Sequence, residues 1–198
     1  LFFGLRLSKK FGLGLPIIES ALDKKKSQIT FRSILKTSIL LGIASGIIIV
    51  LLDLLFTKMG VKISLWSWQM PSWWKGILAS FYGGIWEEIL LRLFFMTFLI
   101  WLFNLFKKSD KNIVQNNWIM WASIIIATIV FGLGHLPITQ TVTTITPLVL
   151  VRALVLNGVG WIVFGWLYWK KGLESAIIAH FSADIVLQVL FPLLLVIL

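Results

Sequence analysis

A run from about Gly76 to Phe106 is apolar almost throughout, yet its middle reads Trp86-Glu87-Glu88-Ile89-Leu90-Leu91-Arg92. A stretch this long and this apolar is read as crossing a bilayer, because about 20 helical residues at 1.5 Å each cover the ~30 Å hydrocarbon core. Placing an ionised side chain near the bilayer centre costs roughly 2.5 to 3.5 kcal/mol on insertion scales, so three such groups in one run mark function or a paired structure. On a helix Glu88 and Arg92 stand at i, i+4, share a face and can neutralise each other. Glu87 is rotated away and lacks a helical neighbour of opposite charge.

Four further runs have similar character: about Ile34–Phe56, Trp118–Leu136, Leu148–Trp169 and Leu173–Leu198. Since backbone polar groups must be satisfied within the bilayer, five runs of this kind predict an all-α polytopic transmembrane helix bundle of about five spans. The share of hydrophobic residues, 59% of 198, agrees, lying above the usual 45 to 50% or so of soluble domains. Residues 1–30 mix apolar residues with Arg6, Lys9, Lys10 and Lys24-Lys25-Lys26, broken by Gly12, Gly14 and Pro16. They are expected to form a cytoplasmic interfacial segment, with 31–198 as the transmembrane domain. The chain starts at Leu1 rather than Met, as a fragment lacking upstream spans would.

The formal charge is +10, from 18 Lys and Arg against 8 Asp and Glu. The basic residues flank the spans, and no zinc-finger, helix-turn-helix or RNP-like pattern accompanies them, so they indicate topology and lipid contact, with no nucleic-acid partner expected. Eight precede the first span, three follow the second (Lys107, Lys108, Lys111) and two follow the fourth (Lys170, Lys171). The other side holds Lys58, Lys62, Lys75 and Arg152, and the positive-inside rule then places the N-terminus in the cytoplasm. Trp66 and Trp68, with Trp73 and Trp74, read as an interfacial aromatic belt. Asp53, at the end of the first span, is expected in solvent. Arg152 is expected to snorkel to the interface, and Asn157 to bond a neighbouring helix.

The chain has two His and no Cys, so disulfides, thiolate ligands and a Cys nucleophile are all excluded. Each His stands in an apolar span with a partner at four residues' distance: Phe131 before His135, and Asp184 after His180. His180 and Asp184 therefore present two polar groups to one point in a bundle. Gln188, a turn further on, could extend that polar face.

The series Glu87-Glu88-x-x-x-Arg92, Phe131-x-x-x-His135 and His180-x-x-x-Asp184 resembles, in order and spacing, the signature of the CPBP or Abi family of intramembrane endopeptidases. That family includes CAAX prenyl proteases and bacteriocin-processing or self-immunity proteins. The resemblance covers about residues 80–190. It implies hydrolysis of a peptide bond, in a peptide or membrane-anchored protein substrate, within a cavity inside a cell membrane, here a bacterial one. Carried over, Glu87 would be the general base, His135 would hold and polarise the attacking water, and His180 with residue 184 would stabilise the oxyanion. Glu88, Arg92 and Phe131 would support the site.

Many members carry Asn at the last position, where this chain has Asp184. Asp184 either stays protonated and donates or accepts the other ring N–H of His180, and the second is the expected role. Zinc bound by Glu87, His135, His180 and Asp184 is a further option, although the compact H-E-x-x-H spacing is lacking. Two other functions compete: a catalytically silent member acting in bacteriocin self-immunity, and a transporter relaying protons through Glu87, His135 and His180.

Overall fold

A computed structural model describes residues 2–24, 29–63, 72–107 and 116–197, and all regular structure in them is helical. Lys25, Lys26, Trp66, Trp68, Lys108 and Lys111 lie outside the described residues. Five helices are long and apolar enough to cross a membrane: Phe31–Lys58, Trp73–Phe106, Asn117–Gln140, Pro147–Lys171 and Leu173–Leu195. They are called the first to fifth spans. The chain is an integral, multi-pass membrane protein.

Local sequence sets the span ends. Thr30 and Ser33 form a reciprocal capping box at the first span, each side chain accepting from the other's backbone N–H, which satisfies two donors that a helix start leaves free. Asn116 caps the third span, and Thr146 caps the fourth, ahead of Pro147 at its first position. The fourth and fifth spans are joined by Gly172 alone, at φ 91°, a left-handed conformation that favours glycine.

The first span lies against the fifth through small residues. Ser38 and Ser175 share a hydroxyl hydrogen bond of 2.7 Å. Gly42 and Gly46 face the Ala179 and Ala183 carbonyls so closely that a Cβ at either would clash. This is the small-xxx-small contact that lets membrane helices approach. The opposite face of the first span, including Leu40, Ile47, Leu51 and Leu55, is exposed, as a lipid-facing surface should be.

Two stretches of the second span, Gly83–Glu87 and Ile89–Met96, are wound as π-helix, as is Val186–Leu190 in the fifth. Such wide turns are frequent at functional sites. The N-terminal helices Phe2–Lys10 and Pro16–Leu22 are too short to cross a bilayer. They dock on the bundle, with Phe11 and Leu13 in one apolar cluster with Leu93, Met96 and Leu173. Glu174 Oε1 accepts the Ile17 and Ile18 N–H groups at 3.0 and 3.1 Å, capping the second of these helices.

Three sequence expectations are corrected. Asp53 is completely buried rather than solvated, and Arg152 does not snorkel. The two form an ion pair between the first and fourth spans, with Arg152 Nε donating to Asp53 Oδ1 at 2.7 Å. Inside a bundle each charge finds its partner on a neighbouring helix, which removes the reason to reach for water. Asn157 bonds within its own helix, to the Ala153 carbonyl at 2.8 Å.

Candidate active site

The five spans enclose a cavity of about 410 Å³ whose lining includes Glu87, His135, His180 and Asp184. In the apolar run Trp118–Leu136, His135 falls next to the end, far from the middle of the bilayer. The third helix ends at Gly134 and, after His135, a short helix Leu136–Gln140 continues the span. His135 thus stands at a helix break that faces the cavity, several residues inside the span's end. Pro137, at the start of the second piece, cannot extend the first.

The adjacent glutamates have opposite surroundings. Glu88 and Arg92 are fully buried and stand 3.4 Å apart, and Glu88 Oε1 accepts the Nδ1–H of His180 at 3.0 Å. Glu87 is 28% exposed and has its Oε2 3.9 Å from His180 Nε2. One carboxylate is consumed by two partners, while the other is open to the cavity. Arg92 also donates Nη2 to the Trp161 carbonyl at 2.7 Å and lies 4.0 Å from the Trp161 ring centroid, a cation–π contact.

Asp184 does not take the place expected of it. Its Oδ2 lies 3.7 Å from His180 Nε2, beyond hydrogen-bond distance. Glu88, on a different helix, is the carboxylate that orients His180, and it does so through Nδ1. A partner across the bundle has displaced the partner one turn along. Asp184 instead meets Gln188, and its Oδ2 packs against Gly83, where a Cβ would come within 2.8 Å. Gly83 therefore keeps this corner of the cavity open.

An aromatic wall holds both imidazoles. Phe164 stacks on His180 at 4.8 Å between centroids, Trp161 meets Phe131 at 3.7 Å, and Phe131 meets His135 at 4.2 Å. His135 Nδ1–H donates to the Phe131 carbonyl at 3.0 Å, so in a neutral ring Nε2 is left as an acceptor. Trp161 and Phe164 escaped the sequence reading. Their spacing of three residues on the fourth span, beside Gly158, Gly160 and Gly165, was the available sign of a close-packed face.

The pattern of the type II CAAX prenyl endopeptidase Rce1-like family matches residues 66–186, more than half the chain, and the match includes Glu87, His135, His180 and Asp184. The chain belongs to this family. It is a family of intramembrane CAAX-type endopeptidases, in keeping with the polytopic bundle. No curated protein and no solved structure matches the chain.

Zinc would need three or four of the expected ligands to converge. Among the described residues no three His, Asp or Glu side chains are grouped to hold a metal ion. The donor set as folded does not fit a zinc site.

Proposed function

We propose that the protein is an intramembrane endopeptidase in which Glu87 activates water. The observation that carries this reading is the contrast between buried, doubly engaged Glu88 and cavity-facing Glu87 beside His180 Nε2. A water between Glu87 and His135 loses a proton to the Glu87 carboxylate while its oxygen attacks the scissile carbonyl carbon. The carbonyl π electrons move to oxygen, and His180, held as an imidazolium by Glu88 on Nδ1, donates Nε2–H to that oxyanion. The oxyanion then collapses, the C–N bond breaks, and Glu87 returns its proton to the leaving amine.

The family's name makes a prenylated CAAX-type peptide the first substrate to test. Purified protein in liposomes, given a farnesylated peptide ending in Cys-aliphatic-aliphatic-X and its unprenylated counterpart, should release the C-terminal fragment, with activity unchanged by a chelator. Binding without cleavage would favour the silent, immunity-type role, and loss of both activity and bound zinc on chelation would overturn the metal-free step. Because Glu88 already orients His180, Asp184→Asn should retain activity or raise it, the amide offering the oxyanion a donor at every pH. A large loss would return the orienting role to Asp184.

Topology bears on which substrates reach the cavity. With Arg152 buried in an ion pair, the loops on the side opposite the N-terminus keep only Lys58, Lys62 and Lys75, and the charge contrast sharpens. We place the Thr139–Thr146 connection outside and Lys170 in the cytoplasm. The chain's lack of Cys permits a direct test at two exposed positions. Thr141→Cys should react with an impermeant maleimide in intact cells and Lys170→Cys only after lysis, and the reverse pattern would invert the topology.

A further inference from the structure

A second cavity, of about 560 Å³, lies between the two N-terminal helices and the bundle and shares no lining residue with the active-site cavity. That volume is in the range of small-molecule sites, about 300 to 1,000 Å³. Its walls are mainly apolar, with Leu5, Ile18 and Leu22 from the short helices and Ile89 and Leu93 from the second span. A further cavity of about 260 Å³ adjoins it, since Lys9, Leu15 and Glu19 line both. This neighbour is more polar: Lys9 and Lys170 line it together with Glu19, Gly12 and Gly172.

The two cavities stand at different depths. Gly172 joins the fourth and fifth spans, so the polar cavity opens where those helices leave the hydrocarbon. Ile89 and Leu93 lie well inside the second span, Trp73–Phe106, so the apolar cavity runs inward from there. A cleft that is cationic at headgroup level and apolar below it has the polarity of a lipid. Arg6 and Lys9, three residues apart on one helix face, are exposed and both line the apolar cavity. Among the described residues neither forms an ion pair, and nor does Lys170, whose Nζ lies 3.5 Å from the Trp169 ring centroid. Two carboxylates stand near them, and backbone N–H groups engage both: Glu19 accepts from Leu15 at 3.3 Å, and Glu174 from Ile17 and Ile18. Three unpaired cations beside two engaged carboxylates favour an anionic occupant.

We propose that the joined cavities bind one anionic phospholipid, its phosphate at Lys9 and Lys170 and an acyl chain along Ile18, Ile89 and Leu93. The proposal is independent of the peptidase reading, but the lipid bears on the active site through the backbone. Ile89 follows Glu88 and Leu93 follows Arg92, on the π-wound stretch Ile89–Met96. The first short helix meets that stretch closely, since a Cβ at Gly4 would come within 2.7 Å of the Leu93 carbonyl oxygen. A chain packed in the groove supports from behind the turns that carry the Glu88–Arg92 pair.

Native mass spectrometry of the detergent-solubilised protein, given equal amounts of phosphatidylglycerol and phosphatidylcholine with the same acyl chains, tests the site. The parent should retain one phosphatidylglycerol with a preference of about 10- to 100-fold, since each basic residue near an anionic headgroup contributes roughly fivefold. That lipid should also raise the melting temperature. Arg6→Gln, Lys9→Gln and Lys170→Gln together should bring the preference close to one, with the melting temperature in phosphatidylcholine unchanged. Lys58→Gln, Lys62→Gln and Lys75→Gln remove the same charge at the opposite end of the bundle and should leave the preference intact. Ile18→Trp, at a groove position that is 49% exposed, should weaken retention of both lipids by filling the chain's place. Equal loss of preference in the two triple variants, or undiminished retention by Ile18→Trp, would overturn the site. Displacement of the lipid by inorganic phosphate would overturn it in favour of a free-anion site, and displacement by a farnesylated peptide would give the groove to substrate. None of these readouts uses cleavage, so a protein that cleaves nothing yet passes them would lose the peptidase reading and keep the lipid site.

Discussion

Replacing Arg92 by Ala should destabilise the protein by about 3 to 5 kcal/mol, the usual cost of stranding one partner of a buried ion pair. Arg92 and Glu88 have no solvent exposure at all, so the remaining carboxylate could not be rescued by water. Three contacts go together: the Glu88 ion pair, the 2.7 Å hydrogen bond to the Trp161 carbonyl and the cation–π contact with Trp161. The damage should spread to the cavity, because Trp161 packs on Phe131, and Phe131 on His135. Arg92→Lys keeps the charge but lacks the planar fork, and should recover only part of the loss. Thermal melting of detergent-solubilised protein, with the yield of folded material, checks this. An Arg92→Ala variant as stable as the parent would show that the pair is not structural.

The spans were legible because twenty-residue apolar runs have few alternatives in a bilayer, and the caps at Thr30, Asn116 and Thr146 explain why three of them start at Phe31, Asn117 and Pro147, slightly ahead of the apolar runs that begin at Ile34, Trp118 and Leu148. Glu88 with Arg92 was legible because both partners lie on one helix. What stayed hidden was every pairing between helices. Asp53 and Arg152 are 99 residues apart, and nothing in the local sequence of either names the other. Helical spacing made Asp184 the natural partner of His180, whereas the fold brings Glu88 within 3.0 Å from a span 92 residues away. The Gly42-x-x-x-Gly46 contact was in plain view as a spacing, but it specifies a close approach without specifying the helix approached.

Glu87→Gln should abolish cleavage while leaving the fold intact. A carboxamide has nearly the shape of the carboxylate but cannot take a proton from water, and removing a positioned general base costs about 10²- to 10⁴-fold in rate. Stability should change little, because Glu87 is part-exposed and its nearest basic atom, His180 Nε2, is 3.9 Å away. Glu88→Gln should behave differently, lowering both stability and activity, since its side chain is fully buried and joins Arg92 to His180. The direct measurement is therefore single-turnover cleavage by parent, Glu87→Gln and Glu88→Gln in liposomes, with a melting curve on each sample. The account predicts no detectable cleavage and a parental melting temperature for Glu87→Gln, and a reduced rate with a lowered melting temperature for Glu88→Gln. Glu87→Gln protein that cleaves at the parental rate would contradict it.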